Sequence, residues 1–567
     1  MVDAITTEII RHGLLAAAEE IARNLCRTAY NTVVYEVHDY GIGIHDANGD
    51  VVADTPGVAV FTRGNDFGVK AAIEFLGKDA MEPGDVFIVN YPYWSSAHVL
   101  DPLVFAPVHH ADELIGFVTC RVHVVDLNQK DPGYVMDSTD IAQEGLILPV
   151  SKLYRRGVLN DDVFNIIKFN SRRPRPTIGD IQSQVSACFT GVKRTQELAE
   201  KYGADTLREA MQAINDHGER LARLAVAKLP KGSWTAVDYV DEDGVDVGEL
   251  IKLQCTVTIT DDEMIIDWTG SAKGIKGPVN VPLGMTEAAC CLIFKSLTTP
   301  DSPVVAGNFA PMRVVTEPGS VMHAVPPMPT FTLWTGILAG EVILKALAQG
   351  VPELVPACSG GDVGAFIGLG SNPRTGELWQ DGSNEACGFG GTSTHDGADG
   401  IMHLTQPGCR NTPVEVFEMR TPLFIERYGY REDSGGAGKY RGGVGIERHY
   451  RFTHPGIGIM LVYKSQTKPW ALEGGKESSP FAVILNPGTE KETWKGSSYN
   501  HMGTDEVLVN ATGGGSGFGD PMERDFDAIV QDVRNGYVSR EAVQRDYGVV
   551  VTPEFTVDEA ATAALRG

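Results

Sequence analysis

No Cys-x-x-Cys spacing occurs in this chain of 567 residues, and its nine cysteines are odd in number, which argues against a zinc ribbon and against a disulfide framework. Cys290 and Cys291 adjoin in an apolar helical stretch and read as buried thiols. Basic charge is scarce. With 48 Lys and Arg against 74 Asp and Glu, the formal charge is −26, so no nucleic acid is expected as a partner. No run reaches the ~20 apolar residues of a membrane span. The opening MVDAITTEIIRHGLL also lacks the basic, apolar and small-residue succession of a secretory signal. A cytoplasmic protein with no membrane partner is expected. The glycine-rich TGGGSGFGDP (512–521) has no lysine followed by Ser or Thr, and SGGAGKY places Tyr440 where Ser or Thr would be needed; no nucleotide site follows from either, and a glycine hinge or backbone-packing loop is the expectation. Nothing in the sequence pairs Cys358 or Ser359 with a base, and a tight turn accounts for the glycines beside them.

What is present is the composition of a soluble enzyme, 43% hydrophobic and 22% charged. Ile10, Leu14, Ala17, Ile21 and Leu25 recur at helical spacing over 6–29. Strand signals follow from Val33 to about Val150: VVYEVHDYGIGIHD, DVFIVNY and LIGFVTCRVHVVDL. The period turns helical between Val163 and Leu229, where Asp205 is a candidate cap. Leu253, Cys255, Val257 and Ile259 alternate as in a strand, and apolar helices are expected near 285–297 and 335–348, with Trp268 and Trp334 in the core. Beyond about 380, glycine and β-branched residues predict irregular β structure, and 525–548 reads as short capped helices. The expected organisation is an N-terminal mixed sheet region at 1–155 that carries the candidate metal site, a helix-rich segment at 156–230, an α/β core at 231–380, a glycine-rich mainly β region at 381–520 and a helical tail at 521–567. The fold class is α+β, mixed sheets and packed helices in one intertwined body.

His98-x-x-Asp101 follows a buried-strand pattern and is by itself weak evidence for a metal. Alternation in FVTCRVHVVDL sets His123 and Asp126 on opposite faces, and in VVYEVHDYGIGI only one of His38 and Asp39 points inward. If Asp39, His98, Asp101 and His123 converge from neighbouring strand ends, two imidazoles and two carboxylates without thiolates suit zinc, manganese or iron with room for water or substrate. Otherwise Asp39 and Asp101 cap turns and the histidines are hydrogen-bonded within the sheet. Asp126 and Asp137 would orient the imidazoles.

Strings along nearly the whole chain, among them HDYGIGIHDANGDVVA, GDVFIVNYPYWSSAHVLD, RVHVVD, STDIAQEGLILP, DWTGSAKGIKGPVN, RNTPVEVFE, DSGGAGKYRGGVG and TGGGSGFGDPMERD, make the sequence similar to the hydantoinase B/5-oxoprolinase family, which includes a subunit of acetone and acetophenone carboxylases. The resemblance implies a hydantoinase B-like fold and metal ligands at Asp39, His98, Asp101 and His123. It also implies a partner, a hydantoinase A-like ATPase subunit that uses ATP and Mg to phosphorylate a small-molecule carbonyl or lactam substrate, with a further small subunit in the carboxylases. Two departures bear on substrate. His123-Val124-Val125-Asp126-Leu127-Asn128-Gln129 stands where members often read H-H-A-D-I-G-G, and Phe61 stands where many have histidine.

The expected function is ATP-dependent opening of a cyclic amide, with Asp126 or Asp137 relaying a proton. Ketone carboxylation is the alternative, with Tyr91-Pro92-Tyr93-Trp94-Ser95-Ser96 forming an apolar pocket; a non-catalytic scaffold ranks third.

Overall fold

Helix Ala4–Thr28 opens the chain, its first N–H groups capped by the Asp3 carboxylate, which accepts from Ile5 and Thr6. The apolar spacing turns Ile10, Leu14, Ile21 and Leu25 inward. That face packs on helix Pro174–Tyr202 so closely that a Cβ on Gly191 would lie 2.6 Å from both Ile21 and Val118. The structure is a computed structural model and describes residues 2–55 and 57–567.

Beneath these helices lies a seven-stranded sheet of β1 (Tyr40–Asp46), β2 (Val51–Thr55), β3 (Val86–Val89), β4 (Leu103–His110), β5 (Glu113–Val122), β6 (Ser151–Arg155) and β7 (Val158–Leu159), in the order β2-β1-β5-β4-β3-β6-β7. Every neighbouring pair is antiparallel. Two strands are shorter than the sequence pattern suggests. Residues Thr32–Tyr35 form a helical turn capped by Asn31, so β1 begins at Tyr40 rather than Val33. β5 stops at Val122, which removes His123 and Asp126 from the alternation expected of them.

The helical segment consists of Asp161–Phe169, Pro174–Tyr202 and Ala204–Val226. Asp205 does not cap the last of these. Gly203, at φ 88°, ends one helix and starts the next, leaving Asp205 in the first turn, where its charge suits the helix dipole. A second sheet joins β8 (Gly232–Val240), β9 (Ile251–Ile259), β10 (Met264–Asp267) and β11 (Met312–Val315), with only the β10–β11 pair parallel. Helices Leu283–Thr298 and Trp334–Leu347 cover it, and Trp268 and Trp334 are both buried.

The later strands are β12 (Gly364–Ser371), β13 (Leu378–Glu385), β14 (Leu423–Tyr430), β15 (Ile446–Phe452), β16 (Gly456–Leu461), β17 (Ala482–Leu485), β18 (Thr493–Lys495), β19 (Ser498–Met502) and β20 (Val507–Ala511). They sort into sheets β13-β12-β16-β19 and β14-β15-β20-β17-β18. The division expected at 380/381 therefore falls inside β13. Helices Phe526–Arg534 and Arg540–Tyr547, capped by Asp525 and Ser539, follow near the end. The string at 512–521 is a packing element: a Cβ on Gly515 would lie 1.8 Å from the Phe389 carbonyl oxygen, and one on Gly442 would lie 1.7 Å from that of Gly515. One buried apolar cluster runs from Ile10 through Val118, Leu253 and Ile337 to Trp470, so the regions share a core and form a single α+β body. Among the described residues no helix is long and apolar enough to cross a membrane.

Candidate metal centre

Strand register explains how residues far apart in sequence meet. β5 lies between β1 and β4, pairing Tyr40 with Val122 and Leu103 with Arg121. Continued past the strand ends, both antiparallel registers bring the chain at His123 level with Asp39 on one side and Asp101 on the other. The His123 N–H donates to the Asp39 carbonyl at 3.3 Å, and the Val124 N–H to that of Leu100 at 2.8 Å. His38, at φ 62°, turns out of this arrangement and its ring lies against Tyr40.

The His98 loop is fixed from several sides. Helix Pro92–Ser95 ends at Ser96 in the left-handed region, and the Asp101 N–H closes a turn onto the His98 carbonyl at 3.0 Å. Arg121, fully buried, donates to the Ser95 carbonyl at 2.5 Å and to Asn65 Oδ1 at 2.9 Å. Gly284 lets helix Leu283–Thr298 approach, since a Cβ there would come within 1.8 Å of Ser96 Oγ.

His98 Nδ1 lies 3.1 Å from Asp101 Oδ2, and His123 Nδ1 lies 3.1 Å from Asp101 Oδ1. The imidazole centroids are 5.0 Å apart at 74°. One ligand atom from each of the three residues lies within 4.8 Å of the others. Asp39 stands outside this cluster but lines the same cavity, of about 90 Å³. The His123 contact is a hydrogen bond; the His98 contact is not, and both His98 Nδ1 and Asp101 Oδ2 are buried without a hydrogen-bond partner. Two buried lone-pair atoms left unsatisfied at this spacing fit a shared cation, since ligands about 2.1 Å from an ion at right angles lie about 3 Å apart.

Electrostatics divides the two rings. Burial pushes His98 down to about 4, only partly opposed by the Asp101 charge. Burial also disfavours the charged form of His123, but the hydrogen bond and charge of Asp101, with the charge of Asp39, carry it above the ordinary histidine value. Asp39 is pushed up to about 7 by burial, although His123 works the other way. His98 is further held by the Phe331 ring, 5.4 Å away and nearly parallel. Val33, Val37, Phe61, Met285, Trp334 and Phe366 contribute apolar walls to the cavity, and Asn384 and Gln406 add neutral polar groups.

Several expected roles find no support in position. Asp126 is buried but its carboxylate accepts from the Arg172 backbone N–H at 2.7 Å and from Arg172 Nη1 at 2.9 Å, a structural tie away from the cavity. Asp137 is exposed and paired with Lys130 at 2.7 Å. Neither lines the cavity, so neither is placed to relay a proton there. Tyr91, Pro92, Tyr93, Trp94, Ser95 and Ser96 are also absent from its lining, and Phe61 forms part of the wall instead. Ser359 does have an acidic partner: its Oγ donates to Glu341 Oε1 at 2.5 Å, which lies 3.3 Å from His403 Nε2. This group is fully packed and does not open on the cavity. The contributions of Met285, Trp334, Asn384 and Gln406 carried no motif, because each reaches the cavity through packing of distant segments.

The chain is 31% identical over 573 residues to an uncharacterized protein of Methanocaldococcus jannaschii, with all of both chains covered. The caprolactamase subunit beta of Pseudomonas jessenii is 27% identical, covering 100% of this chain and 99% of the relative. The crystal structure of ATP-dependent caprolactamase from that organism superposes with a TM-score of 0.92 at 26% identity, covering all of both chains. An acetone carboxylase chain in its nucleotide-free structure shares the fold, with a TM-score of 0.89 at 20% identity over 100% of this chain and 82% of the other. The profile of the Hydantoinase B/oxoprolinase family matches residues 3–521, and the chain belongs to that family.

Proposed function

We propose that the chain is the metal-bearing subunit of an ATP-dependent hydrolase of cyclic amides, acting on a substrate that a hydantoinase A-like partner subunit has phosphorylated. The observation that carries this reading is the pair of unsatisfied buried atoms, His98 Nδ1 and Asp101 Oδ2, of two residues that line a largely apolar cavity. The relatives named as a caprolactamase and its beta subunit supply the reaction class and the expectation of a partner.

His98, Asp101 and His123, joined by Asp39, would hold a divalent zinc, manganese or iron ion, the nitrogen and oxygen set being that of a working site. A bound ion would supply Lewis acidity, polarising a carbonyl oxygen and lowering the pKa of water. The protein's own groups prepare that chemistry. Asp101 orients the His123 ring through its 3.1 Å hydrogen bond, and Phe331 stacks on His98 to fix the other ring. A cation beside Asp39 would restore the ionised carboxylate that burial disfavours. The apolar walls limit water around the reacting carbon.

A second reading, a subunit of an ATP-dependent ketone carboxylase that joins a phosphoenol with CO2, is favoured by those same apolar walls. The two readings are separated by assembling the chain with its partner ATPase and following lactam-dependent ADP release and product. A ring-opened amino acid formed without bicarbonate supports the hydrolase. A strict bicarbonate requirement with a keto acid product supports the carboxylase.

A further inference from the structure

Residues 328–333, which lead into helix Trp334–Leu347, belong to no helix or strand. Phe331 is nonetheless fully buried there, so its main-chain groups need partners from elsewhere in the chain. Glu144 supplies them. Its Oε1 accepts from the Thr330 N–H at 2.7 Å, from the Phe331 N–H at 3.0 Å and from Ser138 Oγ at 2.8 Å, and its Oε2 lies 3.4 Å from Thr330 Oγ1. The Phe331 carbonyl accepts in turn from Tyr134 OH at 3.0 Å, and the Thr332 N–H donates to the Pro278 carbonyl at 2.9 Å.

This fastening determines where the ring lies. Phe331 covers one face of His98, with 5.4 Å between centroids and 18° between planes, whereas His123 and Tyr134 meet the His98 ring edge-on. Phe331 also packs edge-on against Tyr134, with 4.7 Å between centroids. Glu144 itself is fully buried, lies outside the His98, Asp101 and His123 cluster and does not line the cavity, so it acts only through what it holds. Its carboxyl, pushed up to about 8 by burial, is largely uncharged at pH 7. A primary amide offers the same acceptor oxygen in nearly the same shape.

We propose that Glu144 is a positioning residue of the metal centre: by holding the main chain of Thr330 and Phe331 it keeps the Phe331 ring on His98 and so fixes the orientation in which His98 meets a divalent cation. This rests on the reading of His98, Asp101 and His123 as metal ligands, and it assigns the support of one ligand to a residue with no contact to the ion. Groups that orient a ligand ring from outside the ligand set contribute to affinity for the ion. A loss of that support shows in metal binding, which a role confined to folding would leave unchanged.

The test titrates the metal-free full chain with Mn2+ and with Zn2+ by calorimetry at pH 7 and records Tm for the same samples. Glu144→Leu is expected to weaken binding about 10-fold, whereas Glu144→Gln should bind as the wild type does. Phe331→Leu leaves the carboxyl and its donors in place and should weaken binding by a similar factor. Adding Glu144→Leu to Phe331→Leu should then weaken it no further, because the two residues act in one chain of contacts. A Glu144→Leu protein with lowered Tm and wild-type affinity overturns the positioning role, as do losses that add in the double variant. Binding of neither ion by the wild type overturns the metal reading and this role with it. Glu144→Asp, which draws the acceptor back by one carbon, gives the same decision if Glu144→Leu does not fold.

Discussion

His98 Nδ1 faces Asp101 Oδ2 across 3.1 Å with no hydrogen bond between them, both atoms buried. Removing the His98 ring should therefore empty a cation site rather than break a structural bond, whereas a change at Asp101 also disturbs its hydrogen bond with His123. His98→Ala, His123→Ala and Asp101→Asn are expected to lose bound metal by elemental analysis and to lower product formation at least ~100-fold, in the range seen when a ligand or its support is removed. ATP hydrolysis by the partner should remain measurable. Full metal content and full turnover in the His98 and His123 variants would refute a catalytic ion.

Glu144 predicts a pH dependence of stability. Burial pushes its carboxyl up to about 8, although Ser138 and the backbone N–H groups of Thr330 and Phe331 donate to it. Because the folded-state value lies above the ordinary glutamate value of 4.5, the folded chain holds a proton that the unfolded chain releases between about pH 4.5 and 8. This contribution is complete below pH 4.5 and is lost as pH rises through 8. Glu144→Gln keeps the acceptor oxygen and removes the titration. Relative to the wild type, it should lessen the fall in Tm between pH 5 and 8, by an amount equivalent to about 4 kcal/mol at most. Parallel Tm profiles for the two proteins would contradict this.

The meeting of His98, Asp101 and His123, with Asp39 outside the cluster but in the same cavity, was legible because strand ends punctuate the sequence: Asp39, Asp101 and His123 each flank a β-rich run, and an antiparallel meander can bring such ends together. The strand limits were not legible. Val33–Tyr35 and His123–Val125 have β-branched or aromatic side chains suited to a strand, yet the Asn31 cap turns the first stretch into a helix and the Leu100 contact draws the second out of the sheet. Asp126 looked like a helper of the site, but its partner, Arg172, lies 46 positions further on. Ser359, Glu341 and His403 and the pair Asn384 and Gln406 meet only through tertiary packing, with no local spacing to announce them.

Behind β13, Arg448 Nη1 donates to Glu385 Oε1 at 3.0 Å in a fully buried pair, and its guanidinium lies over the rings of Tyr428 at 4.9 Å and Phe417 at 5.1 Å. The same Glu385 oxygen accepts from Ser383 and Tyr450, so the pair holds the strand that carries Asn384. Arg448→Ala leaves an uncompensated buried carboxylate and should cost about 3–5 kcal/mol. Arg448→Met combined with Glu385→Gln removes both charges and should cost less than the single change. Thermal unfolding of the two variants orders these effects; a double variant less stable than the single would show that the charges contribute more than their mutual neutralisation.

Two glycines give opposite expectations for the same substitution. A Cβ on Gly515 would lie 1.8 Å from the Phe389 carbonyl oxygen, a backbone atom that a rotamer change cannot move. Gly515 and its neighbours pack main chain against main chain: the Gly515 N–H donates to Gly443 and that of Gly443 to Phe389, so relief of the clash would break this ladder. Gly429, in β14, has nothing within 4 Å of a Cβ and no left-handed backbone. Gly515→Ala should therefore yield insoluble or markedly destabilised protein. Gly429→Ala should change stability by no more than about 1 kcal/mol, in the stabilising direction, through the reduced freedom of the unfolded chain. Soluble expression and Tm measured side by side decide the matter, and a well-folded Gly515→Ala protein would show that the glycine-rich string is a pliable hinge rather than a packing element.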